Sequence, residues 1–362
     1  MSGTVTSSGP RPRTELRPTG TSFVGLVGIE VRRLWWRRLT KAVLAGVVLF
    51  VLAMVYNAYN SSTPERLAQQ LDDYSIMVEE NKRQAEQMKD QLPQMIKDCE
   101  EQQALERERS DDPSIDFGCS TIGTFQTPTL EDMGIVVPIA DTITESAMEP
   151  LVSVLGFLVL ILMGSFVAAE FTTGSMGNWL TFKPRRVQVA ASKLVAAALG
   201  ATLLAAGAVA LLALGARMVA TLNRPGSDLQ LPDPPPLDES LGQLVLRAVV
   251  LVLAAGVLGA ALGLLIRHTA AVVGVLLGYV VLVEGFAVHA LLQGRLTPFA
   301  VVPNAFAFLE KGYPYTAQKC TPEGCTFAEQ TVSYTHGWVY LLVLAVIAVV
   351  VSVASFRRRD VT

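Results

Sequence analysis

An all-α membrane protein with six spanning helices is predicted for this chain, and three observations predict it. Of its 362 residues 51% are hydrophobic and 17% charged, and the mean hydropathy is +0.41, outside the range of a water-soluble domain. Six apolar runs, at 42–59, 150–169, 189–220, 243–266, 269–292 and 337–355, approach or exceed the roughly 20 residues that a spanning helix needs. Charge is also divided unevenly. Residues 61–148 hold 7 Lys or Arg against 19 Asp or Glu, while arginines and lysines gather before the first run, between the second and third, and after the last. By the positive-inside rule those three basic segments face the cytoplasm. A multi-pass protein with both termini cytoplasmic follows, with 60–149, 221–242 and 293–336 outside.

Residues 1–21 are Ser, Thr, Gly, Pro and Arg with little apolar content, so they read as a disordered cytoplasmic tail. The pattern changes over 22–41. Phe23, Leu26, Val27, Leu34 and Trp35 recur at helical spacing among Glu30, Arg32, Arg33, Trp36, Arg37 and Arg38. This is an amphipathic helix for the membrane surface, with aromatics at headgroup depth and arginines toward anionic lipid; the alternative is a charged flank to the first span. That span lacks a small-residue cleavage pattern and reads as a retained anchor.

After the first span, Ser62-Thr63-Pro64-Glu65 supplies an N-cap, an early proline and an acidic first turn, so a helix starts there. Leu67, Leu71, Tyr74, Val78, Asn81, Ala85, Met88, Leu92, Met95 and Cys99 follow in steps of four and three. They form a coiled-coil-like seam on a charged helix, to be covered by its own loop, a second copy or an external partner. Pro93 should interrupt it. From Ser110 to Met148 recurrent Gly, Pro and Thr predict irregular or short extended structure.

The third to fifth spans are rich in Ala and Gly, with Gly259-x-x-x-Gly263 and Gly274-x-x-x-Gly278 at the spacing that lets helix backbones approach closely in lipid. The fifth span holds Glu284 and His289. A carboxylate at membrane depth faces a protein interior or a wet cavity, so the pair are pathway or gating candidates; the other reading makes Glu284 a structural contact at a helix end. The tail, 356–362, carries Arg357, Arg358 and Arg359. All four cysteines fall in the outside loops. Four allow three pairings, and local pairing, Cys99 with Cys119 and Cys320 with Cys325, is expected because Pro and Gly between them let the loops close. A zinc site is the rival, but Cys320-x4-Cys325 has no second pair or finger-spaced His beside it.

Between the second and third spans, 170–188 begins Glu170-Phe-Thr-Thr-Gly174-Ser175 and continues through Trp179, Leu180 and Phe182 to Pro184-Arg185-Arg186, with Lys193 in the span that follows. This resembles the E-x-x-x-G-[TS] … P-x-R … K pattern of ABC-2 type permeases, the membrane subunits of bacterial ABC exporters. Glu30-Val-Arg-Arg-Leu34 is similar to that family's elbow helix, and the proline-bearing stretch after the fifth span sits where the family has re-entrant helices. The long first outside loop departs from many relatives, which weakens any analogy of substrate.

The resemblance implies a type V exporter-like fold in which 170–188 forms a coupling helix docked on a separate ATPase. Glu170, Gly174, Ser175, Trp179, Phe182, Pro184, Arg185 and Arg186 would make that contact; a plain amphipathic turn between two spans is the alternative. It further implies two ATPase copies carrying the ATP and Mg, a second permease copy as homodimer or heterodimer, and outward movement of a lipophilic compound across a bacterial plasma membrane. The chain contains no G-x-x-x-x-G-K-[ST] loop, so it lacks the usual phosphate cradle. It is expected to be a non-catalytic permease with no cofactor or metal of its own and no nucleic-acid partner. The rival class is a membrane receptor or scaffold whose outside helical loop binds an envelope partner. Neither an intramembrane protease, for which Ser165 lacks a partner base, nor an inverted-repeat transporter fits the pattern.

Overall fold

The computed structural model of the chain describes residues 22–110, 115–122, 127–177, 185–226, 229–236, 240–291, 294–321 and 324–358, the side chains at 289–291, 319–321 and 324–325 excepted. Helix α1 (Phe23–Trp36) starts at Ser22, whose hydroxyl accepts from the Gly25 N–H, and ends at Arg37, an extended residue that separates it from α2 (Arg38–Ser61). The Thr40 hydroxyl donates to the Leu34 carbonyl at 2.6 Å and closes that corner. Helix α3 (Pro64–Met88) begins where the sequence caps it, the Thr63 hydroxyl accepting from the Arg66 N–H with proline in the first turn. It stops at Met88, and α4 runs Leu92–Ser110. The break falls just ahead of Pro93, whose ring clashes with a helical carbonyl four residues back, here that of Lys89.

The return from α4 is held close to it. Cys99 and Cys119 are joined by a disulfide with their Cα atoms 5.7 Å apart, and Arg107 Nε donates to the Ile115 carbonyl at 2.7 Å. The described residues at 115–122 and 127–148 are mainly irregular, as expected, but they end in a short helix, α5 (Ala140–Ser146). Further along come α6 (Met148–Thr172), α7 (Arg186–Leu222), α8 (Leu241–Ile266) and α9 (Thr269–Gly278), the last extended by a π-helix over Tyr279–Leu291. A short α10 (Val301–Leu309), strands β1 (Gly312–Thr321) and β2 (Gly324–Ser333), and α11 (Tyr334–Arg358) complete the described chain.

Six of these helices are long and apolar enough to cross a membrane, as a multi-pass membrane protein requires: α2, α6, α7, α8, α9 with its π extension to Val288, and α11. Three form the centre. Protein covers 61, 50 and 44% of the apolar windows of α6, α7 and α8, against 22, 22 and 11% for α2, α9 and α11, which are therefore peripheral. Glycine sets the central packing. A Cβ on Gly259 would run into the Leu160 carbonyl, and one on Gly263 would lie 2.5 Å from the Gly164 carbonyl and 2.9 Å from Val167 Cβ, so α8 presses on α6 where only glycine fits. The second glycine pair behaves differently: nothing lies within 4 Å of a Cβ on Gly274 or Gly278.

The departure from an all-α chain is the hairpin of β1 and β2, antiparallel with Tyr313 opposite Val332 and Cys320 opposite Cys325. Tyr313, Tyr315, Thr316, Thr326, Phe327, Thr331 and Val332 are β-branched or aromatic and suit a pleated, half-buried surface. The base of the hairpin stacks on α10 and its approach, with Phe306 and Tyr313 ring centroids 6.0 Å apart and Arg295 Nε donating to the Gln318 carbonyl at 3.1 Å. Elsewhere at this end, the Asn223 amide donates to the Tyr59 carbonyl (2.7 Å) and the Ser62 hydroxyl (2.9 Å), fastening the end of α7 to the point where α3 departs.

Candidate functional site

Glu30, Glu170 and Lys193 come from three elements far apart in sequence and meet in one buried cluster. Helix α1 turns Leu26, Val27, Glu30 and Leu34 inward, residues that share one helical face, and Leu34 settles where Gly200 of α7 leaves room. Glu170 lies in the last turn of α6. The helix stops just beyond it because Gly174 adopts φ +69°, with its N–H donating to the Phe171 carbonyl; a residue with a Cβ is strained there. Lys193 sits two turns inside α7 and is 0% exposed.

The geometry around Lys193 is tight. Its ammonium donates to Glu170 Oε2 at 2.6 Å and to Glu30 Oε1 at 2.9 Å, and stands 5.7 Å from the centre of the Phe166 ring. Arg33 pairs with Glu170 Oε1 at 3.3 Å and more loosely with Glu30 Oε1 at 3.8 Å. Arg37 donates to the Ser165 carbonyl at 3.4 Å and also lies over the Phe166 ring, 5.1 Å from its centre. Two carboxylates thus face Lys193, Arg33 and Arg37, which is the compensation buried charge needs. Burial, reinforced by Glu170, raises the Glu30 carboxyl above its ordinary range although Lys193 opposes the shift. Burial likewise lowers Arg37.

Beyond the cluster, Arg267 ends α8 with φ +62° and lies 5.1 Å over Phe171, which meets Phe356 of α11 edge-on at 6.0 Å. Ser175 donates to the Glu170 carbonyl at 3.4 Å, and Arg185 precedes α7. Trp179, Leu180, Phe182 and Pro184 lie outside the described residues. On α1, Arg32 and Trp36 point outward, Trp36 with Lys41 5.2 Å over its ring, while Trp35 packs on the core.

At the opposite end a second polar constellation grips α10. The backbone N–H groups of Val301 and Val302 donate to Glu284 Oε1 at 2.7 and 3.0 Å, and the Tyr279 hydroxyl donates to the same oxygen at 2.7 Å. At the other terminus of α10, Arg247 Nε donates to the Leu309 carbonyl at 2.8 Å. A carboxylate at the N-terminus and a guanidinium at the C-terminus both complement the helix dipole. Glu284, within the π extension of α9, thus bonds the N-terminus of α10. The His289 side chain and those of Cys320 and Cys325 lie outside the described ones.

Sequence reasoning missed Arg247, though a lone cation in an apolar span was the available signal. Asn304, fully buried and donating to the carbonyls of Pro298 and Ala300, was also missed. No cluster of three or more metal-ligating residues occurs among the described residues.

No curated protein and no solved structure matches this chain. A family model described as "Protein of unknown function (DUF2705)" matches residues 131–362, which takes in Glu170, Lys193, Arg247 and Glu284 and leaves out α1 with Glu30 and Arg33. The match spans well over half the chain, which therefore belongs to the DUF2705 family.

Proposed function

We propose that the chain is the membrane-spanning permease subunit of an ATP-driven ABC-2 type exporter, moving a lipophilic compound such as a drug, lipid or glycolipid outward. The observation that supports this most is the convergence on Lys193. The glutamate and lysine of the exporter-like pattern bond directly, and the glutamate of the elbow-like helix joins them through the same ammonium. Such a joint suits force transmission. A push on the connection between α6 and α7 would reach both spans and the surface helix together, because breaking a buried ion pair costs about 3–5 kcal/mol.

In this reading the connection is a coupling helix seated on a separate ATPase, two copies of which carry ATP and Mg. A second permease copy, identical or a sister chain, completes the pathway. The positive-inside rule would keep both termini in the cytoplasm and the arm of α3 and α4 outside, and the resemblance to bacterial exporters implies a bacterial plasma membrane. A photo-crosslinking residue at Ser175 tests the assignment. The expected product is a chain whose peptides include a G-x-x-x-x-G-K-[ST] loop; labelling of lipid alone in intact cells rejects it.

A receptor or scaffold is the second reading, favoured by the disulfide-pinned arm and its half-buried stripe of Leu71, Tyr74, Val78 and Leu92. Deleting 64–109 separates the two readings, since a receptor loses its partner while a permease keeps its ATPase.

A further inference from the structure

The span that begins as α9 continues as a π-helix over 13 residues, Tyr279–Leu291, whereas π winding ordinarily occupies a single turn inside an α-helix. A winding this uncommon needs contacts that exist only while it lasts. The surroundings of Glu284 supply them. In an α-helix, at 3.6 residues per turn, residue i+5 lies about 140° round from residue i. The wider π turn, closed by i→i+5 bonds, brings the two back to one side. Tyr279 and Glu284 are five apart, and the tyrosine hydroxyl donates to Glu284 Oε1 at 2.7 Å. That bond is a product of the π winding.

The same oxygen reaches beyond the span. It accepts from the N–H groups of Val301 and Val302, and the Val301 N–H also lies 3.1 Å from the Tyr279 hydroxyl. The first turn of α10 therefore binds a tyrosine–glutamate pair that π winding assembles. Other helices fix α10 and its approach: Arg247 of α8 bonds the Leu309 carbonyl, and from α11 Tyr340 donates to the Phe299 carbonyl at 2.7 Å while His336 Nε2 lies 3.0 Å from the Pro298 carbonyl. The α9 span is held more loosely. Protein covers 22% of its apolar window, and a Cβ on Gly274 or Gly278 would meet nothing within 4 Å.

We propose that Tyr279–Val288 is a two-state joint, π-wound while Glu284 holds the first turn of α10 and α-wound once that grip is lost. Rewinding carries Glu284 to about 140° from Tyr279 and away from the Val301 and Val302 N–H groups. Seating of α10 and winding of the span are then one equilibrium, so whatever displaces either shifts the other. The joint does not depend on the exporter assignment, and its test reads neither ATP use nor transport.

Exposed positions inside the segment report the winding. Val281 and Phe286 are five apart, Val283 and Phe286 three apart, and all three are exposed. π winding brings the first pair together; α winding sets it about 140° apart and the second pair only about 60° apart. Full-length chains carrying V281C/F286C or V283C/F286C are treated in native membranes with a short bifunctional thiol reagent. Bridging is counted by mass on the peptide that holds the new cysteines, so the native ones do not enter the count. The first pair should bridge in the otherwise wild-type chain and the second should not. Adding Glu284→Ala should lose the first bridge and gain the second, while Glu284→Gln, which keeps a carbonyl acceptor, should retain the first. Val301→Pro removes one of the two donors where a first-turn proline is tolerated, behind an Ala300 already extended at ψ 148°. It should move bridging the same way, and it decides the matter if the alanine variant does not fold. First-pair bridging left unchanged by the deciding variant overturns the joint, as does a wild-type chain that bridges only the second pair.

Discussion

Replacing Lys193 by alanine leaves two buried carboxylates facing each other with the half-exposed Arg33 and the more distant Arg37 as their remaining cations, a change expected to cost about 3–5 kcal/mol and to appear as a large drop in melting temperature. Glu30→Gln should be milder, because Lys193 keeps Glu170 and a costly buried charge disappears. The pH dependence has a definite sign. Glu30 is held above its ordinary value of 4.5, so its share of stability is fullest below that value and is lost as pH rises. The deficit of Lys193→Ala should therefore narrow as melting is followed from pH 7 down toward 5, as the Glu30 carboxyl takes up its proton; a deficit constant over that window refutes the pairing. Lys193, Glu170 and Glu30 were legible one at a time in the sequence, as charges at the edges of apolar runs. Their meeting was not, because helical periodicity says which face a residue occupies and nothing about which distant face lies opposite.

Among the elements, α10 carries the clearest expectation. Glu284→Ala strips two backbone N–H groups of their acceptor, at about 1–3 kcal/mol, and should speed hydrogen exchange over 301–309 while leaving α6 to α8 protected. Glu284→Gln keeps a carbonyl acceptor and should exchange more slowly than the alanine variant; equal exchange in all three proteins refutes the grip. The arm yields a second test. Non-reducing peptide mapping should recover Cys99 linked to Cys119, and Cys320 linked to Cys325, which the hairpin register sets directly opposite each other. Free thiols at 320 and 325 would remove the second pair. The start of α3 and the break before Pro93 could be read directly from Thr63-Pro64 and from proline chemistry. The hairpin was harder to foresee. Its ten-residue strands mix β-branched and aromatic residues with polar ones and follow a proline-bearing stretch, so the pattern alone was ambiguous, and packing on α10 adds to what their propensity supplies.

For the molecule as a whole, packing rests on the face where α8 meets α6. Gly259→Leu should separate these helices and lower both expression and melting temperature, whereas Gly274→Leu, with open space around it, should be tolerated by the single chain. If the second variant instead abolishes a dimer seen by cross-linking, α9 is where a second copy sits. The six apolar runs disclosed the spans; which three helices lie at the centre came only with how far protein covers each one. Lys193 also bears on how the protein is made. A ribosome delivers Glu30 first, Glu170 next and their shared cation last, so every nascent chain passes through a stage with two acidic groups and no lysine to receive them. A chain truncated after α6 should be degraded faster in a pulse-chase than one extended through α7, and Lys193→Ala should give the full-length chain the short lifetime of the fragment.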